Sequence, residues 1–201
     1  MKAFTALDSV ALPLLEDRID TDILYPARFL LLMDRDGLGD YFCRDRRIDP
    51  EGRPIPGNAI DDPRHAGAQI VLAGEDFGCG SSREQAVWAL AGYGIRCVIA
   101  PSFGEIFAAN CLRNGVLAIC LPRPVIDRIA EAGGAVTVDL AGETIRAGDE
   151  AIPFAVPEAS RARLLNGWDD IDLILEQESG NVTAFEQRQQ GQQPWLYEAP
   201  R

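Results

Sequence analysis

One short segment of this chain gathers the residue types that could do chemistry on a small anion. Residues 74–83 read Gly-Glu-Asp-Phe-Gly-Cys-Gly-Ser-Ser-Arg, which places three glycines, two adjacent serines and an arginine close together. A glycine-rich turn lets backbone N–H groups approach a ligand, and a helix that begins after it adds partial positive charge. Arginine supplies a planar fork for a carboxylate. The segment therefore predicts a site for a carboxylate or phosphate with two hydroxyls beside it.

The same serines have a simpler interpretation as helix caps. Ser82 with Gln85, or Ser81 with Glu84, fits the capping box, in which a serine side chain accepts hydrogen bonds from the first helical turn. Capping accounts for one serine and one acid or amide. It does not call for a second serine, further glycines and Arg83, so we favour the anion site.

The elements around this segment place it at the edge of a sheet. An apolar, β-branched run at 69–73 predicts a buried strand, and helical spacing of apolar residues predicts a helix over 83–92. A strand at 96–100, a helix at 103–113 and a strand at 116–121 follow. This β-α-β-α-β order predicts a partly parallel sheet. Ligands in such sheets bind beyond the carboxyl ends of the strands, where the glycine turn falls.

Shorter elements flank this centre. Residues 4–15 predict one or two strands broken at Pro13, and residues 125–132 predict a short helix. Alternating apolar residues at 135–140 and 143–146 then predict a strand pair.

Length and composition indicate one domain of ordinary size. The chain has 201 residues, of which 47% are hydrophobic and 25% charged, as is typical of a globular protein. We predict a single domain over 1–201. Residues 34–68 are rich in Asp, Arg, Gly and Pro, so we predict a mobile loop there. A helical C-terminal extension is predicted at 158–201, with an interruption at Asn166-Gly167.

Charge and cysteine usage exclude several classes of function. A net charge of −12 argues against a duplex nucleic acid partner and an anionic membrane surface. No run approaches the roughly 20 apolar residues of a membrane span, and the N-terminus has no apolar signal core, so we expect a cytoplasmic location. An odd number of cysteines without C-x-x-C is typical of reduced thiols. Neither these cysteines nor the single histidine has the spacing of metal ligands: Cys43, Cys79, Cys97, Cys111, Cys120 and His65.

Conventional nucleophile arrangements fit this chain poorly. A serine nucleophile needs a nearby base, and His65 is predicted to lie in a polar loop. Cys79 could be activated as a nucleophile by Arg83 and the helix end. A structural role for Cys79 as a small, half-buried apolar residue explains it equally well. What remains is a hydroxyl that moves a proton while an arginine holds a carboxylate. Such a reaction also needs a Lewis acid, which we do not expect this chain to supply.

Several co-linear motifs resemble one protein family. Residues 76–84 closely resemble the signature of the swivelling domain of the aconitase superfamily and, more narrowly, of the small subunits of bacterial 3-isopropylmalate dehydratase. Similar motifs occur at 20–30, 100–117, 167–172 and 194–196, so the resemblance spans nearly the whole chain. It implies an α/β fold: a three-layer β/β/α swivelling domain with a mixed sheet and the active turn on its rim.

The resemblance also implies a reaction and a partner. Members of the family are half of a hydro-lyase that isomerises 2-isopropylmalate to 3-isopropylmalate by dehydration and rehydration, in leucine biosynthesis. The other half is a large subunit carrying a [4Fe–4S] cluster, in a heterodimer or heterotetramer, so no cofactor is expected in this chain. By position, Ser81 matches the catalytic base, and four residues match substrate-binding positions: Ser82, Arg83, Asp22 and Thr21.

One departure from the family pattern keeps alternatives open. Position 85 is Gln where the pattern has His, and Gln does not titrate near neutral pH. A related hydratase for another malate-like acid, such as citraconate, a dimethylmalate or an alkylmalate, therefore remains an alternative, as does a non-catalytic paralogue. The segment after Pro26 corresponds to the region that selects the substrate, and its apolar run at 30–33 favours an isopropyl group.

Overall fold

The computed structural model describes residues 1–32 and 34–197. The chain forms two compact units, Met1–Gly167 and Trp168–Arg201. The strands of the first unit are β1 (Ala6–Leu14), β2 (Ile70–Ala73), β3 (Cys97–Ala100), β4 (Leu117–Cys120), β5 (Ala135–Asp139), β6 (Thr144–Ala147) and β7 (Glu150–Pro153). They form one seven-stranded sheet in the order β4-β3-β2-β1-β5-β6-β7.

The α-helices described in this unit are α1 (Thr21–Leu24), α2 (Arg44–Arg47), α3 (Gln85–Tyr93), α4 (Glu105–Arg113), α5 (Arg123–Ala132) and α6 (Glu158–Asn166). Short 3-10 helices lie at Ala27–Phe29, Leu38–Tyr41 and Pro63–His65. The β-α-β-α-β order predicted from the sequence is confirmed, because β2, β3 and β4 pair in parallel. Helices α3 and α4 make the two connections.

Strand β1 joins a parallel half and an antiparallel half of the sheet. Its residues 11–14 pair in parallel with β2, whereas residues 6–10 pair antiparallel with β5. The predicted break at Pro13 does not occur, since Pro13 lies in register opposite Leu72. Beyond Val10 the strand has no partner on its β5 side, so a residue without an N–H is tolerated there.

The buried side chains form two clusters, one on each face of the parallel half of the sheet. On one face of the parallel half, Val71 and Val98 pack with Leu90 of α3 and Phe107 of α4. On the opposite face, the cluster joins the parallel half to side chains of β5, β6 and α5: Ile70, Leu72, Ile99, Val138, Ile145 and Ile126. Parallel strands buried on both faces read as continuous apolar runs, as β2 and β3 do. The α/β fold with a mixed sheet is confirmed.

One strand was missed by the sequence analysis, and the predicted C-terminal helical segment divides between the two units. Strand β7 was missed, because Glu150–Pro153 carries an acid and a proline and shows no alternation; it is held in place by β6. The first unit continues to Gly167 and includes α6, since Leu164 is buried and its carbonyl accepts from Phe4 N–H at 2.8 Å. Helices begin at Glu158 and Asp170, on either side of the predicted interruption at Asn166-Gly167, and only the second of them lies in the C-terminal unit.

The segment 34–68 contains more local structure than its composition suggested. It includes α2 and two 3-10 helices, and Leu38, Phe42, Cys43 and Ile60 are buried in the core. These anchors tie a long segment without regular strands to the body. Its mobility stays a prediction.

The second unit consists of helix α7 (Asp170–Gln192) and a 3-10 helix at Pro194–Leu196. Helix α7 begins in a complete capping box, in which Asp169 accepts from the N–H groups of Ile171 and Asp172. None of the residues of α7 is buried. Among the described helices, none has the length and apolarity needed to cross a bilayer.

Candidate active site

The glycine-rich turn connects β2 to α3 at the carboxyl end of β2, as predicted. Gly78 has a positive φ of 73°, and a Cβ placed there would lie 2.2 Å from the ring of Phe107. Only glycine fits this position without moving helix α4. The sequence Gly-Cys-Gly therefore serves to bring the turn close to the core before the serines are reached.

Residues near α1 hold the turn through three hydrogen bonds. Gly78 N–H donates to Ile19 O at 2.7 Å, and Thr21 N–H donates to Cys79 O at 3.0 Å. Ser81 N–H donates to Thr21 Oγ1 at 3.2 Å. Two segments about 60 residues apart in the sequence are thus clamped together.

The predicted arginine and acid form an ion pair at the same place. Both terminal nitrogens of Arg83 donate to the carboxylate of Asp22, with Nη2 to Oδ2 at 3.1 Å. The Arg83 side chain is 22% exposed and that of Asp22 is 53% exposed. Within the described residues, Arg83 Nε has no acceptor. The ion pair therefore fixes the guanidinium while leaving its Nε edge available to a carboxylate.

The serines do not cap helix α3. The N-cap residue is Glu84, and no side chain makes a cap hydrogen bond there, so the capping-box interpretation is wrong. Ser81 Oγ is buried and has no hydrogen-bond partner in the described part of the chain. Ser82 is exposed. Because buried hydroxyls are nearly always hydrogen-bonded, an unpartnered one requires an explanation, and a catalytic role is one.

Backbone donors surround the serines. The N–H groups of Gly80, Ser82 and Arg83 find no acceptor among residues 1–32 and 34–197. They lie immediately before α3, whose N-terminus carries partial positive charge. Together with the arginine, these donors create a locally positive region on a chain of net charge −12. The geometry suits a small anion with at least one carboxylate.

Comparison with known proteins decides which kind of protein carries this site. The family model of the aconitase C-terminal domain matches residues 1–124. A 3-isopropylmalate dehydratase small subunit from Rhodospirillum centenum is 47% identical over 201 residues, covering 97% of this chain and 98% of the relative. The chain belongs to this family. A "3-isopropylmalate dehydratase small subunit 2" from Bordetella parapertussis is 45% identical, covering 98% of this chain and 100% of the relative.

A solved structure supports the same family on its fold. The crystal structure of 3-isopropylmalate dehydratase from Methanocaldococcus jannaschii superposes with a TM-score of 0.67 at 26% identity. The match covers 89% of this chain and 99% of that one. The family resemblance inferred from the sequence motifs is confirmed.

Two pairings near the site of this small-subunit family member were missed by sequence reasoning. Asn114, which lies within the motif at 100–117, donates from Nδ2 to Glu84 Oε1 at 2.8 Å and so links the end of α4 to the start of α3. The guanidinium of Arg35 lies 4.3 Å from the ring centre of Trp88 on α3. Neither pairing leaves a sequence pattern, because each joins residues 30 or more positions apart in the chain.

The structure places the remaining specificity candidates around α3 and α1. Gln85, where the family pattern has His, is the first residue of α3 and is half-buried. Leu30 packs partly against the core, whereas Leu31 is 91% exposed and Leu32 is also exposed. Met33 lies outside the described residues. A role for this run in selecting the substrate stays a prediction.

The described residues of this chain do not form a ligand set for a metal cluster. No three His, Cys, Asp or Glu side chains in the described ranges come together as metal ligands. Burial raises the pKa of the Cys43 thiol to about 12, and it also raises the pKa of Cys97 and Cys111. These thiols stay protonated near neutral pH, which makes them poor ligands and poor nucleophiles.

Proposed function

We propose that this chain is the small subunit of a two-chain hydro-lyase that isomerises 2-isopropylmalate to 3-isopropylmalate by removing and re-adding water. The observation that carries the proposal is the near full-length similarity to 3-isopropylmalate dehydratase small subunits at 45–47% identity. The anion-binding geometry of the glycine turn supports it, since the substrate is a dicarboxylate.

Ser81 is proposed as the base of this reaction. In the dehydration step its oxygen takes a proton from the carbon next to a carboxylate, and in rehydration it returns the proton to the double bond. Ser81 Oγ is buried and makes no hydrogen bond to the described residues, so its lone pairs are available. The positive end of α3 and the guanidinium of Arg83 favour the negatively charged form of this oxygen.

The substrate carboxylate is proposed to bind between Ser82 and Arg83. Ser82 is exposed and offers both its hydroxyl and a free N–H, and Arg83 offers its Nε edge. Asp22 holds Arg83 from the other side through the two terminal nitrogens. A rigid arginine loses less conformational entropy when the carboxylate arrives.

The second half of the site is proposed to lie on a large subunit. Because the described residues contain no suitable ligand set, we place the [4Fe–4S] cluster on that partner, where it would supply a Lewis acid for the leaving hydroxyl. The pair is proposed to form a heterodimer or heterotetramer. All five cysteines are unpaired, which supports the proposed cytoplasmic location.

An assay of the two-chain enzyme tests this function. The chain is co-expressed anaerobically with a cluster-bearing large subunit, and absorbance of the unsaturated acid is followed with 2-isopropylmalate, citraconate and citrate. We expect turnover of 2-isopropylmalate only when both chains are present. Ser81→Ala should lower kcat by about 10²–10⁴-fold, the contribution typical of a positioned base. Ser179→Ala, an exposed serine on α7, is the matched control and should keep full activity.

Each other outcome has a definite meaning. Turnover of a different acid alone keeps the reaction type and replaces the substrate, as Gln85 left open. Turnover that survives Ser81→Ala contradicts the assignment of the base. A complex with an intact cluster that turns over none of the three acids contradicts the proposed function.

A further inference from the structure

We propose that Thr21 is a positioning residue that fixes the backbone of Ser81 and is not a ligand of the substrate. This inference rests on the proposed function, in which Ser81 is the base. By position in the family motif, Thr21 would instead belong to the substrate-binding set. The contacts of Thr21 lead to the different assignment.

The hydroxyl and the backbone N–H of Thr21 both make hydrogen bonds to the glycine turn. Its hydroxyl oxygen accepts from Ser81 N–H at 3.2 Å, and its own N–H donates to Cys79 O at 3.0 Å. Thr21 is only 1% exposed. Its hydroxyl oxygen is thus committed to the Ser81 backbone, which assigns it to holding the turn and not to binding a ligand.

The Ser81 amide is the point at which the turn most needs support. The neighbouring N–H groups of Gly80, Ser82 and Arg83 have no acceptor in the described part of the chain, so there the backbone N–H groups of 80–83 have one side-chain acceptor, the hydroxyl of Thr21. Gly80 has a positive φ of 96°. Because glycine has no side chain, the backbone can adopt this conformation and also has considerable freedom to leave it.

The side chain of Ser81 cannot orient itself. Its Oγ has no hydrogen-bond partner among the described residues, so no hydrogen bond of its own selects one rotamer. The direction of the Cα–Cβ bond therefore follows the backbone, and the bond to Thr21 is the hydrogen bond that holds the backbone at Ser81 itself. Since proton transfer depends on placement within about 1 Å, losing that bond should slow the reaction step more than it weakens substrate binding.

A pair of substitutions separates the hydroxyl of Thr21 from its shape. Thr21→Val keeps the volume and removes the acceptor, whereas Thr21→Ser keeps the acceptor and removes the methyl group. In the complex with the large subunit, we expect Thr21→Val to lower kcat by about 10- to 100-fold with KM within about twofold of wild type. Thr21→Ser should recover most of that loss. Thermal unfolding and complex formation are measured for both.

Three results would overturn the inference. A raised KM with unchanged kcat in Thr21→Val would make Thr21 a substrate ligand. Unchanged kinetics would show that the bond has no role, and equal damage in Thr21→Ser would assign the effect to packing of the methyl group.

A second readout distinguishes this inference from the proposed function. In the full chain without its partner, the amide proton of Ser81 should exchange with solvent faster and shift upfield by NMR in Thr21→Val, but not in Thr21→Ser. If the wild-type complex shows no turnover, the proposed function fails, and this measurement still decides whether Thr21 holds Ser81. An unchanged amide in Thr21→Val refutes the bond itself.

Discussion

The glycine turn and helix α7 hold their shapes in opposite ways. The turn depends on partners about 60 residues away in sequence, such as Thr21 for Ser81 and Asp22 for Arg83. Helix α7 depends on its own sequence: a capping box at Asp169 and intrahelical bonds, with no buried residue along its length. The difference predicts that single substitutions in the turn have large effects on both stability and activity, whereas those in α7 have small, local effects.

The comparison also supports placing the proposed chemistry in the glycine turn. A reacting group must be held within a fraction of an ångström, and only tertiary contacts give that precision. The turn is braced on both sides by α1 and α4. Helix α7 offers instead an exposed surface with several large apolar side chains: Ile171, Ile174, Leu175 and Phe185.

Glycine-to-alanine changes test this comparison most strongly. In Gly78→Ala the new methyl group would meet the Phe107 ring at 2.2 Å, at a positive φ that alanine disfavours. We expect a loss of about 2–5 kcal/mol in the free energy of unfolding, from overpacking and backbone strain together. Gly180, in the middle of α7, has open space around it. Gly180→Ala should stabilise the helix by about 0.5–1 kcal/mol, because alanine has the higher helix propensity.

Both variants are measured by urea unfolding of the full chain. Activity of the complex should fall in Gly78→Ala and stay unchanged in Gly180→Ala. Equal small effects at the two positions would contradict the distinction between a braced turn and a self-supporting helix.

The parts of the molecule that follow from local sequence could be predicted, and those that depend on distant pairing could not. The parallel strands β2 to β4 and their two helices were predicted because buried apolar runs and helical spacing are local patterns. Strand β7 was missed because an acid and Pro153 leave its sequence without a strand pattern. It forms by pairing with β6. Pro13 was expected to break a strand, yet the missing neighbour on one side removes the penalty.

The same division applies to the site. The composition of the turn was enough to predict an anion site, and the motif supplied Ser81 and Arg83. Nothing local predicted that Asp22 would hold Arg83 or that the serines would leave α3 uncapped. These features arise from the meeting of two segments, which a single sequence does not reveal without a fold.

Replacement of Arg83 should have an intermediate effect, mainly on substrate binding. Arg83→Lys keeps the charge but replaces the planar guanidinium, which has separate edges for Asp22 and for a substrate carboxylate, with a single ammonium nitrogen. We expect KM in the complex to rise by about 10- to 100-fold, as for loss of one charged hydrogen bond. Initial rates at varied substrate concentration measure this effect.

A second arginine supplies the control for that change. Arg128 on α5 pairs with Glu150 on β7 through Nη2 and Oε1 at 2.8 Å, with both side chains about half exposed. Arg128→Lys makes the same replacement of an ion-paired guanidinium away from the turn, and it should leave KM unaltered. A similar rise in KM in both variants would mean that replacing an ion-paired arginine with lysine disturbs the whole fold. It would contradict a role of Arg83 in binding the substrate.

The smallest expected effect is a pH dependence confined to α7. The N–H groups of Asp172 and Ile171 donate to the Asp169 carboxylate and hold its pKa below the usual range. A lowered folded-state pKa means that the capping interaction is fully present above the ordinary carboxyl range and is lost as the pH falls through the folded value. Asp169→Asn retains a capping oxygen and does not titrate.

Helix content followed by circular dichroism from neutral to acid pH should therefore fall further in wild type than in Asp169→Asn. Superimposable acid curves would show that the capping box contributes nothing to α7. The helix would then need support from outside its own sequence, and the contrast with the braced turn would be lost.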